Sequence, residues 1–472
     1  MARAASKRLL FAVLLTGQVT VVLNATIVNV ALPAIQDDLG MGAGTLQYVV
    51  TVYSALLGGF LLFAGRSADL FGRRAMLMLG LAGFTVASGV VTIAPTTAWV
   101  LAGRGAQGLA GAFVVTSALS MVTSIFEQGP PRNRALAIWG ALTGAAATIA
   151  VILGGILTEG PGWRWIFGIN VPVGLVAIAM AWALLPKGAS GTRPQLDLPG
   201  AVLLTGGLLT LIVGIARAET VGWLSTATFT TIGLAIVVLL VFVSVERRTS
   251  EPLIDFAVLR IPTLRGANVV AFLVYGAMFA MYYVLSLLMQ RVFGWSALQT
   301  GIAYVPLGLF LMVGSKLAQS LLSRLPARLV VQIALALGVV AMALMARVPT
   351  DASYLIDVLV PFLLIGLAFG LVVVVVQVLA FTGVQESVSG VAAGIINTTQ
   401  EFGGALGTAV LSTLAASVTA AAGGREADLA GYHVALLAVG GLLVLAAGAA
   451  ALMFRTPAAP SDVESVPDVS AT

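Results

Sequence analysis

The chain has 472 residues, of which 59% are hydrophobic and only 9% charged, whereas a soluble domain carries about a quarter charged residues. So few polar groups cannot cover a water-facing surface, and a chain without cysteine and with one histidine has no disulfide framework, zinc–thiolate site or cysteine nucleophile. The net charge of +5 does not point to nucleic acid, because the basic residues lie in short connections between apolar runs, which is a topology signal.

A bilayer core about 30 Å thick is crossed by about 20 apolar residues in a helix. Between charged or Pro/Gly-rich breaks, the sequence predicts fourteen such spans, at 9–33, 46–64, 75–94, 97–125, 135–157, 164–185, 199–216, 226–245, 266–290, 300–321, 329–346, 355–381, 390–418 and 432–454. Met1 to Arg8 resembles the start of a signal peptide. The apolar stretch after it runs on to about Leu32 without a small-x-small cleavage site, so it reads as the first span. An even number of spans leaves both chain ends on one side. With that side taken as the inside, the connections and tails there hold eighteen of the Lys and Arg residues, against five (Arg164, Arg217, Arg291, Arg347 and Arg425) on the other. Both termini are therefore expected in the cytoplasm. Six of the seven tryptophans also fall near span ends, as an interfacial belt requires.

Polar groups inside the membrane are costly and therefore informative. The first span carries Thr16, Thr20 and Asn24 at i, i+4 and i+8, which suits either substrate contact or an interhelical hydrogen bond. Between the second and third spans, Gly65-Arg66-Ser67-Ala68-Asp69-Leu70-Phe71-Gly72-Arg73-Arg74 is the strongest local signal. Asp69 is expected to accept from the amides of the next helix, Gly72 to allow a tight turn, and Arg73 and Arg74 to hold the inner face. The bland reading is a charged turn. In the fourth span Arg104, Gln107, Gly108 and Gly111 share one helical face. A guanidinium keeps its charge, so that face should look into the bundle unless Arg104 snorkels to the surface.

The longest internal connection, with Glu246, Arg247, Arg248, Glu251 and Asp255, reads as an amphipathic cytoplasmic linker. The ninth span sets Asn268, Phe272, Tyr275, Phe279 and Tyr282 on one stripe. Such a stripe fits flat or cationic amphiphiles, or ordinary packing. In the thirteenth span Glu401 is the carboxylate near mid-membrane, with Asn397, Thr408 and Ser412 on its face. A carboxyl removed from water holds its proton to higher pH, so Glu401 is the candidate for proton exchange, a permanently paired charge being the alternative. The tail after Arg455, rich in Pro, Ser, Ala and acids, is expected to be disordered.

The Gly65–Arg74 segment resembles the signature loop of the major facilitator superfamily, and Arg104-Gly105-Ala106-Gln107-Gly108 resembles the arginine motif of its fourth helix. Leu23 to Pro33, Trp163 to Phe167 with Asn170-Val171-Pro172, and Asn397 to Ala405 are similar to its fourteen-helix drug:proton antiporter branch. The resemblance implies an all-α integral membrane protein of major facilitator fold, with two six-helix bundles plus two additional transmembrane helices. The expected division is 1–196 for the first bundle, 197–247 for the inserted pair, 248–265 for the linker, 266–455 for the second bundle and 456–472 for the tail. It also implies proton-driven export of small amphiphilic or cationic compounds from the plasma membrane, by a monomer without cofactor or nucleic-acid partner. Glu401 and Arg104 would carry the coupling, Asn24, Gln107, Asn268, Asn397 and the aromatic stripe would meet substrate, and Gly65, Asp69, Gly72, Arg73 and Arg74 would form the inner gate. Three positions depart from the branch. It usually has aspartate at Asn24, a Gly-Pro pair at Ala150-Val151 and a basic residue at Leu70. A transporter of a metabolite that is uncoupled, or coupled otherwise, is the second reading. The lack of a soluble domain, of cysteine and of a nucleotide-binding motif such as a P-loop speaks against the third reading, a membrane-embedded enzyme or sensor.

Overall fold

The computed structural model describes residues 2–126, 130–185, 197–249, 252–254, 258–384, 389–419 and 424–454. Among them the chain forms fourteen long helical segments. They are α1 (Ala2–Leu39), α2 (Ala43–Leu46, then Tyr48–Phe71), α3 (Arg73–Thr92), α4 (Thr97–Ile125), α5 (Pro130–Glu159), α6 (Trp165–Gly168, then Asn170–Leu184) and α7 (Leu198–Val221). They continue as α8 (Thr226–Glu246), α9 (Pro262–Leu287, ending in the wider turn Leu288–Val292), α10 (Ala297–Ala303, then Val305–Leu322) and α11 (Ala327–Met345). The last three are α12 (the wide turn Tyr354–Val358, then Leu359–Phe381), α13 (Ser389–Thr419) and α14 (Arg425–Met453). The expected tail, 456–472, and part of the linker, with Glu251 and Asp255, lie outside the described residues.

Thirteen of these segments are long and apolar enough to cross a membrane. In the other, α5, the apolar part that is described is Thr148–Glu159. Their outward faces are apolar too: Leu234, Val237 and Leu240 of α8 are each more than half exposed. In water such a surface would drive aggregation, whereas lipid is its matching solvent. The protein is thus a multi-pass membrane protein.

Within the first half α3 and α2 pack on α4, and α1 packs on α5. In the second half α13 packs on α9, and α12 on α10. The inserted helices form a hairpin in which α7 lies against both α2 and α13, while α8 faces outward. The halves meet along two seams, α2 with α13 and α5 with α10. The end of the bundle that carries Arg66, Arg73 and Arg74, where α2 joins α3 at Gly72, is called the basic face, and the other the opposite face.

Several bonds cross between the halves at the opposite face. Gln290 Nε2 donates to the Val30 carbonyl at 2.9 Å, Arg291 pairs with Asp37 and donates to Gln36 Oε1 at 3.1 Å, and the Leu298 amide donates to Glu159 Oε2 at 3.0 Å. Here α5 and α10 touch by their backbones. A Cβ on Gly155 would lie 2.7 Å from the Ala297 carbonyl oxygen and 2.8 Å from Leu298 Cα, distances that side-chain carbons do not tolerate. Gly155→Val should therefore prop this face open. A cysteine placed at Leu298 in that variant should label faster from that side than in the parent, and equal rates would show that the contact is not needed for closure.

Candidate functional site

Arg104 stands near the start of α4 and is fully buried. Among the described residues, only neutral groups hold it. Its Nε donates to the Val49 carbonyl of α2 at 2.8 Å, and its Nη1 donates to Gln107 Oε1 at 3.0 Å and to Asn24 Oδ1 of α1. Gln107 donates onward to Ser88 Oγ of α3 at 2.8 Å, so four helices converge on one cation. The Tyr53 ring lies 4.1 Å from the guanidinium carbon and the Phe167 ring 5.7 Å from it. The negative faces of these rings offset part of the cost of burying the charge. The Tyr53 hydroxyl donates to the Val21 carbonyl at 2.9 Å, which fixes the ring. Arg104 Nη2 and Asn24 Nδ2 are buried without an acceptor.

Next to Tyr53 on α2, the Ser54 hydroxyl donates to the Glu401 carboxyl of α13. The other oxygen, Oε2, is buried and unpartnered. The two backbones are close here, since a Cβ on Gly58 would lie 2.7 Å from the Glu401 Cβ. Tyr53 is within the electrostatic reach of both Arg104 and Glu401, and Tyr275 of α9 is within that of Glu401. The two predicted charges thus flank Tyr53, one inside the first half and the other on the seam between the halves.

The remaining predicted residues divide by their surroundings. Asn24 and Gln107 belong to the Arg104 cage. Asn268 clamps α9 to α13 by accepting from Thr399 Oγ1 at 2.7 Å. Phe272 packs beside Phe402, Leu204, Leu208 and Phe242, next to the inserted hairpin. Tyr275 and Phe279 face each other with ring centroids 6.2 Å apart, and Phe279 lies over Gly404. Tyr282 instead joins Tyr304 inside the second half, at 5.4 Å. The stripe is therefore split among three environments. Asn397 is partly buried one turn before Glu401.

The gating segment departs from the sequence expectation. Helix α2 runs through Gly65 and Asp69 to Phe71 and breaks only at Gly72, whose φ of 93° falls in the left-handed region that favours glycine. Asp69 lies before that break, so it does not cap α3. It pairs instead with Arg73 at 3.7 Å, on an exposed surface. Arg73 also donates to the Ser120 carbonyl of α4 at 3.1 Å, and Arg74 to the Trp182 carbonyl of α6 at 2.6 Å. Both arginines thus fasten α3 within the first half. The side chain that reaches the linker is Arg66, which donates to the Pro252 carbonyl.

Sequence reasoning missed Gln47, Tyr53 and Ser54. Gln47 Nε2 donates to Thr413 Oγ1 at 3.3 Å, and Ser412 donates to Gln47 Oε1 at 2.8 Å, across the same seam. The signal was present: Gln47, Thr51, Ser54 and Gly58 recur at i, i+4, i+7 and i+11, a polar and small-residue stripe along the face of α2 that meets α13.

Comparison with known proteins agrees with this fold. The Major Facilitator Superfamily profile matches residues 14–408. The chain is 36% identical to the puromycin resistance protein of Streptomyces alboniger, over 92% of this chain and 89% of that one. It is 35% identical to the cephamycin export protein of Amycolatopsis lactamdurans, over 89% and 86%. In three dimensions it resembles the crystal structure of the human organic anion transporter MFSD10, with a TM-score of 0.63 and 18% identity, covering 94% of this chain and 99% of that one, a likeness of fold alone. The family match and the relatives make it a membrane transporter and not an enzyme. The chain belongs to the Major Facilitator Superfamily, and antibiotic resistance and export proteins are among its relatives.

Proposed function

We propose that the protein is a proton-coupled exporter of small amphiphilic or cationic organic compounds in the plasma membrane, with both termini cytoplasmic. The two six-helix halves, 1–196 and 266–455, rock about a central site while the 197–247 hairpin rides on the α2–α13 seam. The observation that carries this reading is Glu401, a carboxylate with one buried, unpartnered oxygen on a surface that must rearrange when the halves move. A group placed there exchanges its proton with one side or the other as the seam opens. The names of the resistance and export relatives support the substrate class. The second reading, a transporter without proton coupling, is favoured by Asn24, a neutral amide at the position where the branch usually has a carboxylate. Expression in a host stripped of its own pumps, screened against antibiotics and cationic dyes, tests the class. Resistance that disappears when a protonophore collapses the gradient is expected, and no resistance to any compound would reject it.

Orientation is tested in the natural cysteine-free background. A cysteine at Leu224, 87% exposed between α7 and α8, should label from outside, and one at Phe71, 55% exposed, from inside. The reverse pattern would invert the topology. The gating role of Asp69 is separable from stability, because an exposed i,i+4 ion pair contributes only about 0.3–0.5 kcal/mol. Asp69→Asn should lower transport without changing the melting temperature, and unchanged kinetics would reduce Asp69 to a helix-end residue.

A further inference from the structure

The two ends of the inserted hairpin meet at the basic face, at positions outside the spans expected from sequence. Asp197 is the N-cap of α7 and Glu246 is the last residue of α8. Both are almost completely buried, at 5% and 1% exposure. Asp197 uses one oxygen, Oδ1, to accept from the Gly200 amide at 2.8 Å, the ordinary work of a helix cap. Glu246 reaches across to the linker, where Oε1 accepts from the Leu253 amide at 3.3 Å and Oε2 from the Ile254 amide at 3.2 Å.

What remains is Asp197 Oδ2, which is buried and has no donor. The group beside it is the Glu246 carboxyl. A Cβ on Gly200 would lie 2.6 Å from Asp197 Oδ2 and 2.6 Å from Glu246 Oε1, so the two oxygens converge on one spot. Two acceptors facing each other in a buried place repel unless a proton lies between them, and like charges so close do not both ionise. Among the described residues neither carboxyl has a basic partner. Arg247 and Arg248 are exposed, and Arg66, from the neighbouring α2, donates to the Pro252 carbonyl of the linker.

We infer that Asp197 and Glu246 share one proton and form a second proton-binding site, away from the transport path, where the inserted hairpin, the linker and the end of α2 join. The shared proton closes the hairpin at its base, and Glu246 carries that closure to residues 253 and 254. This site does not depend on Glu401. In the unfolded chain both carboxyls release their protons near pH 4. The folded pair keeps one, so between that pH and its own titration the folded state binds more protons, and its stability falls as pH rises across this window.

The test uses the full-length purified protein carrying Glu401→Gln, which removes the carboxyl whose Oε2 is buried on the α2–α13 seam, with infrared spectra followed across about pH 5 to 9. One protonated-carboxyl carbonyl band should persist at neutral pH, where exposed carboxyls are ionised. Adding Asp197→Asn, Asp197→Ser (which keeps a capping side chain) or Glu246→Gln should each shift the loss of the band to lower pH, since burial still favours the protonated form of the remaining carboxyl but no facing carboxylate does. The melting temperature should fall with rising pH more steeply in the Glu401→Gln protein than after Asp197→Asn is added. No band at neutral pH in the Glu401→Gln protein, a band that is lost at the same pH after either Asp197 substitution or Glu246→Gln, or parallel melting curves would overturn the inference.

Discussion

Glu401→Gln should abolish accumulation of substrate against its gradient while leaving downhill movement in place. The glutamine has the size and shape of the carboxyl and still accepts from Ser54, so packing along the α2–α13 seam is preserved. What disappears is the proton. A pH difference of one unit supplies about 1.4 kcal/mol per proton, which sustains about a tenfold concentration ratio for one-for-one exchange. In proteoliposomes with such a gradient, the parent should approach that ratio and the variant should stop at equal concentrations. A variant that concentrates substrate as well as the parent would move the coupling elsewhere and favour the uncoupled reading.

Arg104→Lys should cost nearly as much, for a different reason. The guanidinium serves the Val49 carbonyl, Asn24 and Gln107 at once through a flat fork, with the Tyr53 ring beneath it. An ammonium is a single point of charge and cannot reproduce that geometry. Hydrogen bonds to a charged group are worth about 1.5–3 kcal/mol each, so losing one shifts an equilibrium about tenfold or more. Transport should fall by at least about tenfold, and the melting temperature should drop as α1, α2 and α4 lose their common anchor. Asn24→Asp should act in the opposite direction on stability, because an aspartate there would form an ion pair with a cation that now has only neutral partners. Full transport by the lysine variant would show that only the charge at 104 matters.

Much of the helical layout was legible because the bilayer enforces it. Every backbone polar group must be satisfied within its own segment, so long apolar runs have to be helices, and their ends follow charges and Pro/Gly breaks. The burial of Arg104 was legible for the same reason, since a charge within a span must turn inward or snorkel out. Harder to read were the links between helices far apart in sequence. Nothing near Asn24 announces that its amide oxygen meets Arg104, and Asn268 looks like a cavity residue until Thr399 is found against it. The three surroundings of the aromatic stripe on α9 were hidden because its rings meet the inserted hairpin, Gly404 of α13 and Tyr304 at successive positions, and one helical face cannot reveal where its neighbours change. The Asp69 segment misled for a local reason. A Gly-rich, charged stretch suggests a loop, yet helix α2 passes through Gly65 and bends only where Gly72 takes a positive φ.

The central claim, that export is driven by proton exchange, is tested most directly with the unmodified protein reconstituted into vesicles with an acidic interior. Uptake of puromycin and of a lipophilic cationic dye is followed alongside a pH-sensitive probe sealed inside. The expected result is accumulation above the outside concentration with matching alkalinisation of the interior, both lost when a protonophore is added. Substrate movement of equal rate and extent with or without the gradient, and no accompanying proton flux, would contradict it.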